Sequence, residues 1–171
     1  MNATHETRIP LGRPDQSGNG TLWVRLAFTD GGLARLQVEE GAVEDHPPRR
    51  ALPNGYADVG QALADWQMRI DSRFDWTTHP GFPKVGTAFQ RSVWSALCRV
   101  PWGESVGYGE LAQRVGRPGA ARAVGQAVGA NPWAPLIPCH RVLAANYGLG
   151  GYAQGTRIKS RLLAIEGIAY R

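Results

Sequence analysis

The sequence GELAQRVGRPGAARAVGQAVGA, residues 109–130, predicts two short helices joined by a tight turn. The turn is Gly116-Arg117-Pro118-Gly119, and glycine and proline are the residues that most strongly interrupt helices. We expect the first helix from Gly109 to Val115 and the second from Ala120 to Ala130. Two short helices with this kind of connection resemble a helix-turn-helix.

The second of these helices is composed almost entirely of small residues. Alanine is the best helix former, but each glycine costs ~1 kcal/mol relative to alanine in a helix. A slim helix suits the minor groove of DNA, which is ~6 Å wide, whereas an ordinary helix is ~10–12 Å across. Arg122 is the one long cation near the helix start. The small residues are Ala120, Ala121, Ala123, Gly125, Ala127, Gly129 and Ala130.

A cysteine directly precedes a histidine in Ile137-Pro138-Cys139-His140-Arg141-Val142. A lone pair of this kind is more often structural, because free cysteine is among the most buried residue types. Here Pro132, Pro135 and Pro138 restrict the residues before them to non-helical conformations. The sequence therefore predicts a stiff, extended segment that presents Cys139 as a nucleophile.

Composition indicates a globular protein of one or two domains. The chain has 171 residues, of which 43% are apolar and 19% charged. No apolar run approaches the ~18 residues of a membrane span, and the first residues lack the apolar core of a signal peptide. Cys98 and Cys139 offer neither a disulfide framework nor zinc-ligand spacing. We expect a cytoplasmic protein with two free thiols, no metal and no membrane association.

Charge is divided unevenly along the chain. Residues 1–85 contain nine Lys and Arg against eleven Asp and Glu, a net −2, whereas residues 86–171 contain ten against three, a net +7. An excess of this size in one half is a plausible electrostatic footprint for nucleic acid. The second half is therefore the candidate DNA-binding part.

The first half predicts a β-hairpin covered by one helix. Residues 22–28 alternate in hydrophobicity, residues 30–32 supply a turn and residues 33–38 return. Residues 1–20 are expected to be mobile or to form an edge strand, and residues 41–57 a loop. Apolar residues from Val59 to Ile70 recur at helical spacing. His46 and His79 are expected to be surface residues, and the linker is placed at residues 79–83.

The second half opens with a helix-start motif. Thr87 with Gln90 three residues later predicts a capping box. A helix to about Arg99 should follow, with Pro101 past its end and with Cys98 in the core. The residues expected to face inward are Phe89, Val93, Trp94 and Leu97.

A family resemblance runs from Gly86 to Gly167. Its motifs include Gly86–Gln90, Val93-Trp94, Tyr108, Leu111-Ala112, Ala121–Gly125, Asn131-Pro132, Ile137–Val142, Gly150-Gly151-Tyr152, Lys159 and Glu166-Gly167. With these motifs the chain resembles the O6-alkylguanine-DNA alkyltransferases, also called methylated-DNA–protein-cysteine methyltransferases. The resemblance implies an α/β (α+β) fold. Residues 1–80 would form a small ribonuclease-H-like α/β domain, and residues 81–171 a mainly helical domain with the helix-turn-helix.

The resemblance also implies a reaction. Cys139 would accept the alkyl group from O6-alkylguanine in a flipped nucleotide and keep it, so that each molecule acts once. His140 would take the thiol proton through a water, and Glu166 would hold the imidazole. Tyr108 would donate to the departing guanine. A thiolate–imidazolium pair would depress the pKa of Cys139; alternatively, Glu166 is only a helix-end residue.

Other residues would bind DNA or form the substrate pocket. Arg122 would fill the gap left by the flipped base, and the main chain near Cys139 and Val142 would read the exocyclic amine. Asn131 either braces the turn after the recognition helix or only caps it. The residues expected to contact DNA are Ala121, Arg122, Ala123, Gly125 and Tyr108. Those expected in the pocket are Val128, Asn131, Trp133, Val142, Tyr152 and Ala153.

Several positions depart from the family pattern. Ala153 stands where serine is common, Gln154 where glycine is frequent, Tyr147 where glycine is usual, and Gly107 at a common serine position. These changes lie at the pocket rim. They leave open which alkyl groups the protein accepts and whether it repairs O4-alkylthymine.

The expected partner is double-stranded DNA, bound in its minor groove by a monomer without a cofactor, and cooperative binding is left open.

Three alternative functions belong to other classes of protein. A Cys–His hydrolase would need an oxyanion hole. A non-enzymatic lesion-binding protein of the alkyltransferase-like type would lack the cysteine. A helix-turn-helix regulator would need a polar recognition helix.

Overall fold

The structure is a computed structural model that describes residues 5–11, 21–41, 51–68, 79 and 85–171. The chain forms two compact units, residues 1–74 and residues 75–171. This division precedes the boundary predicted at residues 80 and 81. His79, expected at the surface, is buried and packs edge-on against Trp133 with ring centroids 5.4 Å apart. His46, most of the linker and residues 42–50 lie outside the described residues.

The described part of the first unit is built on an antiparallel sheet of three strands in the order β1-β2-β3. The strands are β1 (His5–Leu11), β2 (Thr21–Thr29) and β3 (Gly32–Gly41). The predicted hairpin is confirmed, since β2 pairs with β3 up to Thr29 opposite Gly32. Gly32 has a φ of 105°, which glycine adopts without a steric penalty. The local sequence therefore specifies the turn that joins β2 to β3.

Among the described residues of this unit, one helix packs with the sheet. It is α1 (Ala57–Gln67), and it buries Val59, Leu63 and Trp66, as the helical spacing predicts. The side chain of Gln67 donates to the carbonyl of Pro10, so the end of α1 is bonded to β1. The predicted helix extends to Ile70, which lies beyond the described residues.

The second unit begins with α2 (Ala88–Leu97). The capping box is confirmed: Thr87 N donates to Gln90 Oε1 at 2.8 Å and Gln90 N donates to Thr87 Oγ1 at 3.2 Å. Val93, Trp94 and Leu97 are buried, whereas Phe89 and Cys98 are only partly buried. Trp94 Nε1 donates to the carbonyl of Ala127 at 2.8 Å, which fixes α2 against the second helix of the helix-turn-helix.

The helix-turn-helix consists of α3 (Tyr108–Arg114) and α4 (Ala121–Gly129). Both lie within one residue of their predicted starts, and Gly116 and Gly119 in the turn have φ of 68° and 86°. Two short strands, β4 (Val106–Gly107) and β5 (Val142–Leu143), form a parallel pair that the sequence did not indicate. The last helix is α5 (Thr156–Glu166). The α/β class with a mainly helical second unit is confirmed. None of the helices in the described ranges is long and hydrophobic enough to cross a bilayer.

Candidate active site

The parallel pair of β4 and β5 positions the reactive groups. Val106 lies opposite Val142 and Gly107 opposite Leu143. Tyr108 directly follows β4, and Cys139 to Arg141 directly precede β5. Two segments about thirty residues apart in the chain are thereby held side by side, and Tyr108 and Cys139 line the same cavity.

Cys139 to Arg141 form one turn of 3-10 helix and not an extended segment. Cys139 N donates to the carbonyl of Ile137 at 2.8 Å, and Arg141 N donates to that of Pro138 at 3.0 Å. With three residues per turn, adjacent side chains point about 120° apart. Cys139 and His140 therefore diverge, and they do so through a turn and not through the extended chain that the prolines predicted.

The cavity at Cys139 has a volume of about 180 Å³. Cys139 is 5% exposed, so its thiol reaches this space but little solvent. Val142 and Trp133, expected in the pocket, do not line it; both are fully buried in the core. The lining residues are Tyr108, Gly125, Val128, Gly129, Asn131, Cys139, Gly151, Tyr152, Ala153 and Gln154.

Two polar side chains contact the sulfur. Cys139 Sγ donates to the hydroxyl of Tyr152 at 3.8 Å, and Asn131 also hydrogen-bonds the cysteine. Asn131 Nδ2 donates to the carbonyl of Ile137 at 2.7 Å, and its Oδ1 accepts from Trp133 N at 3.0 Å. Asn131 therefore braces the chain between α4 and the cysteine, which favours the bracing alternative over a simple cap.

Burial keeps the resting thiol and imidazole neutral. It raises the pKa of Cys139, although hydrogen bonds with Asn131 and Tyr152 act in the opposite direction. It lowers the pKa of His140, against the attraction of Glu166. The expectation of a depressed thiol pKa is wrong for the free protein. Burial removes the ionised forms of Cys139 and His140 from water, and the free-energy cost of this exceeds the stabilisation that neighbouring groups supply. Burial also raises the pKa of Tyr108, and ionisation of Cys139 would raise it further, so Tyr108 keeps its proton for donation.

His140 is held from behind by an ionised carboxylate. Its Nε2 lies 2.8 Å from Glu166 Oε1. Burial alone would raise the pKa of Glu166, but the hydrogen bonds and charges of His140 and Arg141 lower it to about 2. Because the carboxylate accepts at Nε2, the neutral ring carries its proton there and its lone pair on Nδ1. Nδ1 is buried and has no hydrogen-bond partner among the described residues.

Arg141, predicted only as part of the motif Ile137–Val142, contacts the carboxylate of Glu166. Its Nε donates to Glu166 Oε2 at 2.7 Å and its Nη2 to Oε1 at 3.0 Å. The guanidinium also donates to the carbonyl of Val100 and lies 5.7 Å from the ring centroid of Trp102. A bidentate pair of this kind fixes the orientation of a carboxylate. In the sequence, only the position of Arg141 next to His140 could have indicated this role.

Lys159 is a second group whose role only the structure shows. Its side chain is fully buried, and Nζ donates to the carbonyl of Val142 at 2.6 Å and also to those of Leu149 and Gly151. Burial lowers the pKa of Lys159 to about 8. The ammonium ties β5 to the segment that lines the cavity. In the sequence, only the position of Lys159 next to the buried Ile158 in an amphipathic helix could have indicated this role.

The small residues of α4 divide between the cavity and the surface. A Cβ on Gly125 would lie 3.7 Å from the ring of Tyr108, so glycine permits this close approach. Arg122 and Ala123 are exposed and Ala121 is half-buried; none of the three lines the cavity. Tyr147 keeps a left-handed φ of 59° where the resemblance places glycine. The described residues hold no cluster of three or more metal-ligating side chains.

Comparisons with known proteins relate the chain to one family. Residues 88–168 match the family profile described as the DNA-binding domain of 6-O-methylguanine DNA methyltransferase. The methylated-DNA–protein-cysteine methyltransferase of Mycobacterium bovis is 53% identical over 162 residues, covering 92% of this chain and 87% of that protein. That of Methanosarcina acetivorans is 55% identical over 82 residues, covering 48% of this chain and 53% of that protein. The chain thus spans about half the length of some curated relatives.

Solved structures share the fold over nearly the whole chain. The crystal structure of Mycobacterium tuberculosis OGT in complex with DNA superposes with a TM-score of 0.63 and 34% identity, covering 94% of this chain and 92% of that one. O6-methylguanine-DNA methyltransferase from Pyrococcus kodakaraensis superposes with a TM-score of 0.68 at 23% identity, which speaks to the fold alone. Sequence identity over most of both chains shows that this protein belongs to the methylated-DNA–protein-cysteine methyltransferase family.

Proposed function

We propose that the protein repairs DNA by direct reversal, moving an alkyl group from O6-alkylguanine to Cys139 in a single irreversible turnover. The observation that carries the proposal is the placement of the Cys139 thiol in a cavity shared with Tyr108, next to a histidine held by Glu166. Such a cavity gives an alkylated base a nucleophile and a proton donor within one enclosed space.

The transfer is an in-line displacement. Cys139 Sγ forms a bond to the alkyl carbon while the bond from that carbon to guanine O6 breaks, and the electron pair stays with the guanine. The thiol proton passes to His140 Nδ1, which carries the ring lone pair, by way of a bridging water. Tyr108 donates a hydrogen bond to the departing guanine, which would otherwise leave as an anion. Glu166 stabilises the imidazolium that forms, and Arg141 holds Glu166 in place.

Proton loss and alkyl transfer occur together in this scheme. Burial raises the pKa of Cys139 and lowers that of His140, so a stable thiolate–imidazolium pair does not accumulate in the free protein. The proton leaves as the sulfur begins to bond the alkyl carbon, since that bond removes the negative charge from sulfur. The arrangement protects the thiol from reaction with other electrophiles before a lesion arrives.

DNA is the partner that this site requires. We infer that the basic second half, net +7, binds duplex phosphates and that α4 enters the minor groove. The exposed Arg122 is suited to fill the space left by a flipped base, and Ala121, Ala123 and Gly125 permit close approach of α4. The protein is inferred to act as a monomer in the cytoplasm, where Cys98 and Cys139 remain free thiols. No observation favours the non-enzymatic alternative over transfer to Cys139.

Mass spectrometry of the intact protein tests the proposal. After mixing with duplex DNA that contains O6-methylguanine, we expect the protein mass to rise by one methyl group, located on Cys139 by peptide mapping. Cys139→Ser should gain nothing, while the matched variant Cys98→Ser should react like the wild type. A methyl group on another residue, or turnover without protein modification, would overturn the proposal.

A further inference from the structure

Tyr147 is an exposed aromatic residue in a backbone conformation that tyrosine rarely adopts. The residue is 66% exposed. Its φ of 59° follows one of 55° at Asn146, and Gly148 N donates to the carbonyl of Ala145 at 3.1 Å. This is the pattern of a type I′ turn, in which both central residues have positive φ. Asn-Gly is a favoured central pair for such a turn, so tyrosine in the second central position is locally unfavourable.

The folded chain gains little from this tyrosine in return. An aromatic side chain stabilises a protein mainly by burying its large apolar surface, and the side chain of Tyr147 remains mostly in water. Residues held in sparsely populated backbone conformations cluster at active sites and ligand-binding segments. The combination of strain and exposure points to a contact between Tyr147 and a bound partner.

The turn that contains Tyr147 is joined to the wall of the reactive cavity. Gly150, which follows the turn, packs against its base, since a Cβ on Gly150 would lie 3.3 Å from the Cβ of Ala144. The same Cβ would lie 3.9 Å from the hydroxyl of Tyr108. Tyr108 and Gly151 both line the cavity. DNA that places a base in this cavity therefore comes close to the turn.

The chain around Tyr147 carries the charge that a nucleic acid requires. Residues 142–171 contain one carboxylate side chain, that of Glu166, and it is buried. Arg157 and Arg171 are exposed in the same segment. Arg171 N donates to the carbonyl of Tyr147 at 2.8 Å, so these two residues are neighbours. Exposed aromatic rings combined with basic side chains are typical of surfaces that bind nucleic acid.

We propose that Tyr147 is a DNA-binding residue that contacts the backbone of the lesion strand beside the flipped nucleotide. Its ring packs on a deoxyribose and its hydroxyl donates to a phosphate, since tyrosine is among the usual donors to DNA phosphates. The inference rests on the proposed transfer to Cys139 and adds a contact that holds the strand while its base occupies the cavity. Phosphate contacts do not read base sequence, so the contribution of Tyr147 should be the same in every sequence context.

The test compares reaction with duplex DNA and with the free base. Wild type and Tyr147→Gly react, at subsaturating substrate, with a duplex that contains O6-methylguanine and with O6-methylguanine itself. Mass spectrometry follows the methylation of Cys139. We expect Tyr147→Gly to slow the duplex reaction roughly two- to tenfold, the usual effect of one hydrogen bond. The free-base reaction should be unchanged, because the free base has no backbone to contact.

Stability and control variants separate this contact from damage to the fold. Glycine adopts positive φ without a steric penalty, so Tyr147→Gly should be at least as stable as wild type in urea denaturation. Tyr147→Phe keeps the ring, removes the hydroxyl and should show a smaller loss than Tyr147→Gly. Met68→Ala, which shortens an exposed side chain of the first unit, is the control and should change neither reaction.

Affinity for DNA can be measured without the reaction. In a Cys139→Ser background, Tyr147→Gly should weaken duplex binding by the same factor as it slows transfer, as measured by fluorescence anisotropy. The log–log slope of affinity against salt should remain that of the background protein, because the substitution removes no charge.

Unchanged duplex rate and affinity in Tyr147→Gly would overturn the proposal. Equal slowing with the duplex and the free base would overturn it as well, since Tyr147 would then act through the cavity or the fold. A wild-type rate with Tyr147→Phe would overturn the phosphate contact of the hydroxyl. Failure of the underlying function would look different: wild type would acquire no methyl group on Cys139 from either substrate, while the affinity comparison would still report on the contact of Tyr147.

Discussion

Glu166 connects the active site to acid stability. Its pKa is about 2 in the folded protein and 4.5 ordinarily, so the folded state holds the ionised form that His140 and Arg141 bind. The resulting stabilisation is fully present above pH 4.5 and is lost as the pH falls from there towards 2. This difference corresponds to a free energy on the order of 3 kcal/mol. Since the pKa of His140 is lowered, that residue adds a loss that begins as the pH falls through 6.5.

We therefore predict that wild type and Glu166→Gln differ most in free energy of unfolding near pH 6 and converge towards pH 3. Urea denaturation across this range measures the difference. Glu110→Gln is the matched control, because it removes an exposed ion pair with Arg114 that contributes at most about 0.5 kcal/mol. A constant difference between wild type and Glu166→Gln at all pH values would show that Glu166 is not ionised in the folded state.

Cys139 gives a second prediction at the residue scale, about reactivity in the absence of DNA. Because burial raises its pKa, iodoacetamide should label it slowly at neutral pH, with the rate rising only in the alkaline range. His140→Ala should leave this profile unchanged but slow methyl transfer from DNA by about 10²–10⁴-fold, the usual contribution of a general base. All proteins would carry Cys98→Ser to remove background labelling. Rapid labelling that persists below pH 7 would instead establish a stable thiolate–imidazolium pair.

At the scale of elements, the end of α5 fixes the carboxylate beneath His140. Gly167 has a φ of 72°, Gly167 N donates to the carbonyl of Ala164 at 3.2 Å, and Ile168 N donates to that of Leu163 at 2.9 Å. This is a Schellman motif, and its usual hydrophobic contact is present because Leu163 and Ile168 pack with Leu143. Glu166 is the last helical residue, so the motif determines where its carboxylate lies.

Gly167→Ala should lower the free energy of unfolding by about 1 kcal/mol, the cost of a left-handed alanine. No atom lies within 4 Å of the added Cβ, so the effect reports on backbone conformation alone. Gly109→Ala is the control: it adds a Cβ in equally open space on α3 and should leave stability unchanged or raise it. Chemical denaturation measures both variants. Equal effects would mean that backbone conformation at residue 167 is not what stabilises this helix end.

At the scale of the whole molecule, DNA binding and alkyl transfer should be separable by mutation. Affinity for DNA is expected to come from the net +7 of residues 86–171, whereas transfer depends on one sulfur. Cys139→Ser should therefore abolish transfer but bind duplex DNA within a few-fold of wild type, and both should weaken with salt along the same log–log slope. Fluorescence anisotropy at several salt concentrations measures this. Binding that is insensitive to salt would show that the basic half is not the DNA-binding surface.

The sequence by itself determined the local features of this protein. Adjacent residues specify the capping box at Thr87, the turn between α3 and α4, and the hairpin of β2 and β3, because each depends on contacts over a few positions. The adjacency of Cys139 and His140 is likewise part of the sequence, and the prolines before them identified this segment as one that could present a nucleophile. The ends of α3 and α4 were placed within one residue for the same reason.

Only the tertiary structure decided what surrounds the reactive cysteine. The pairing of β4 with β5, the bidentate contact of Arg141 with Glu166, and the three carbonyls around Lys159 join residues that are 8 to 36 positions apart. Whether the Cys139 thiol is charged depends on how much water these contacts exclude, and the sequence-based expectation of a thiolate was wrong on that point. Desolvation depends on which distant segments pack together, and no local pattern of residues encodes that quantity.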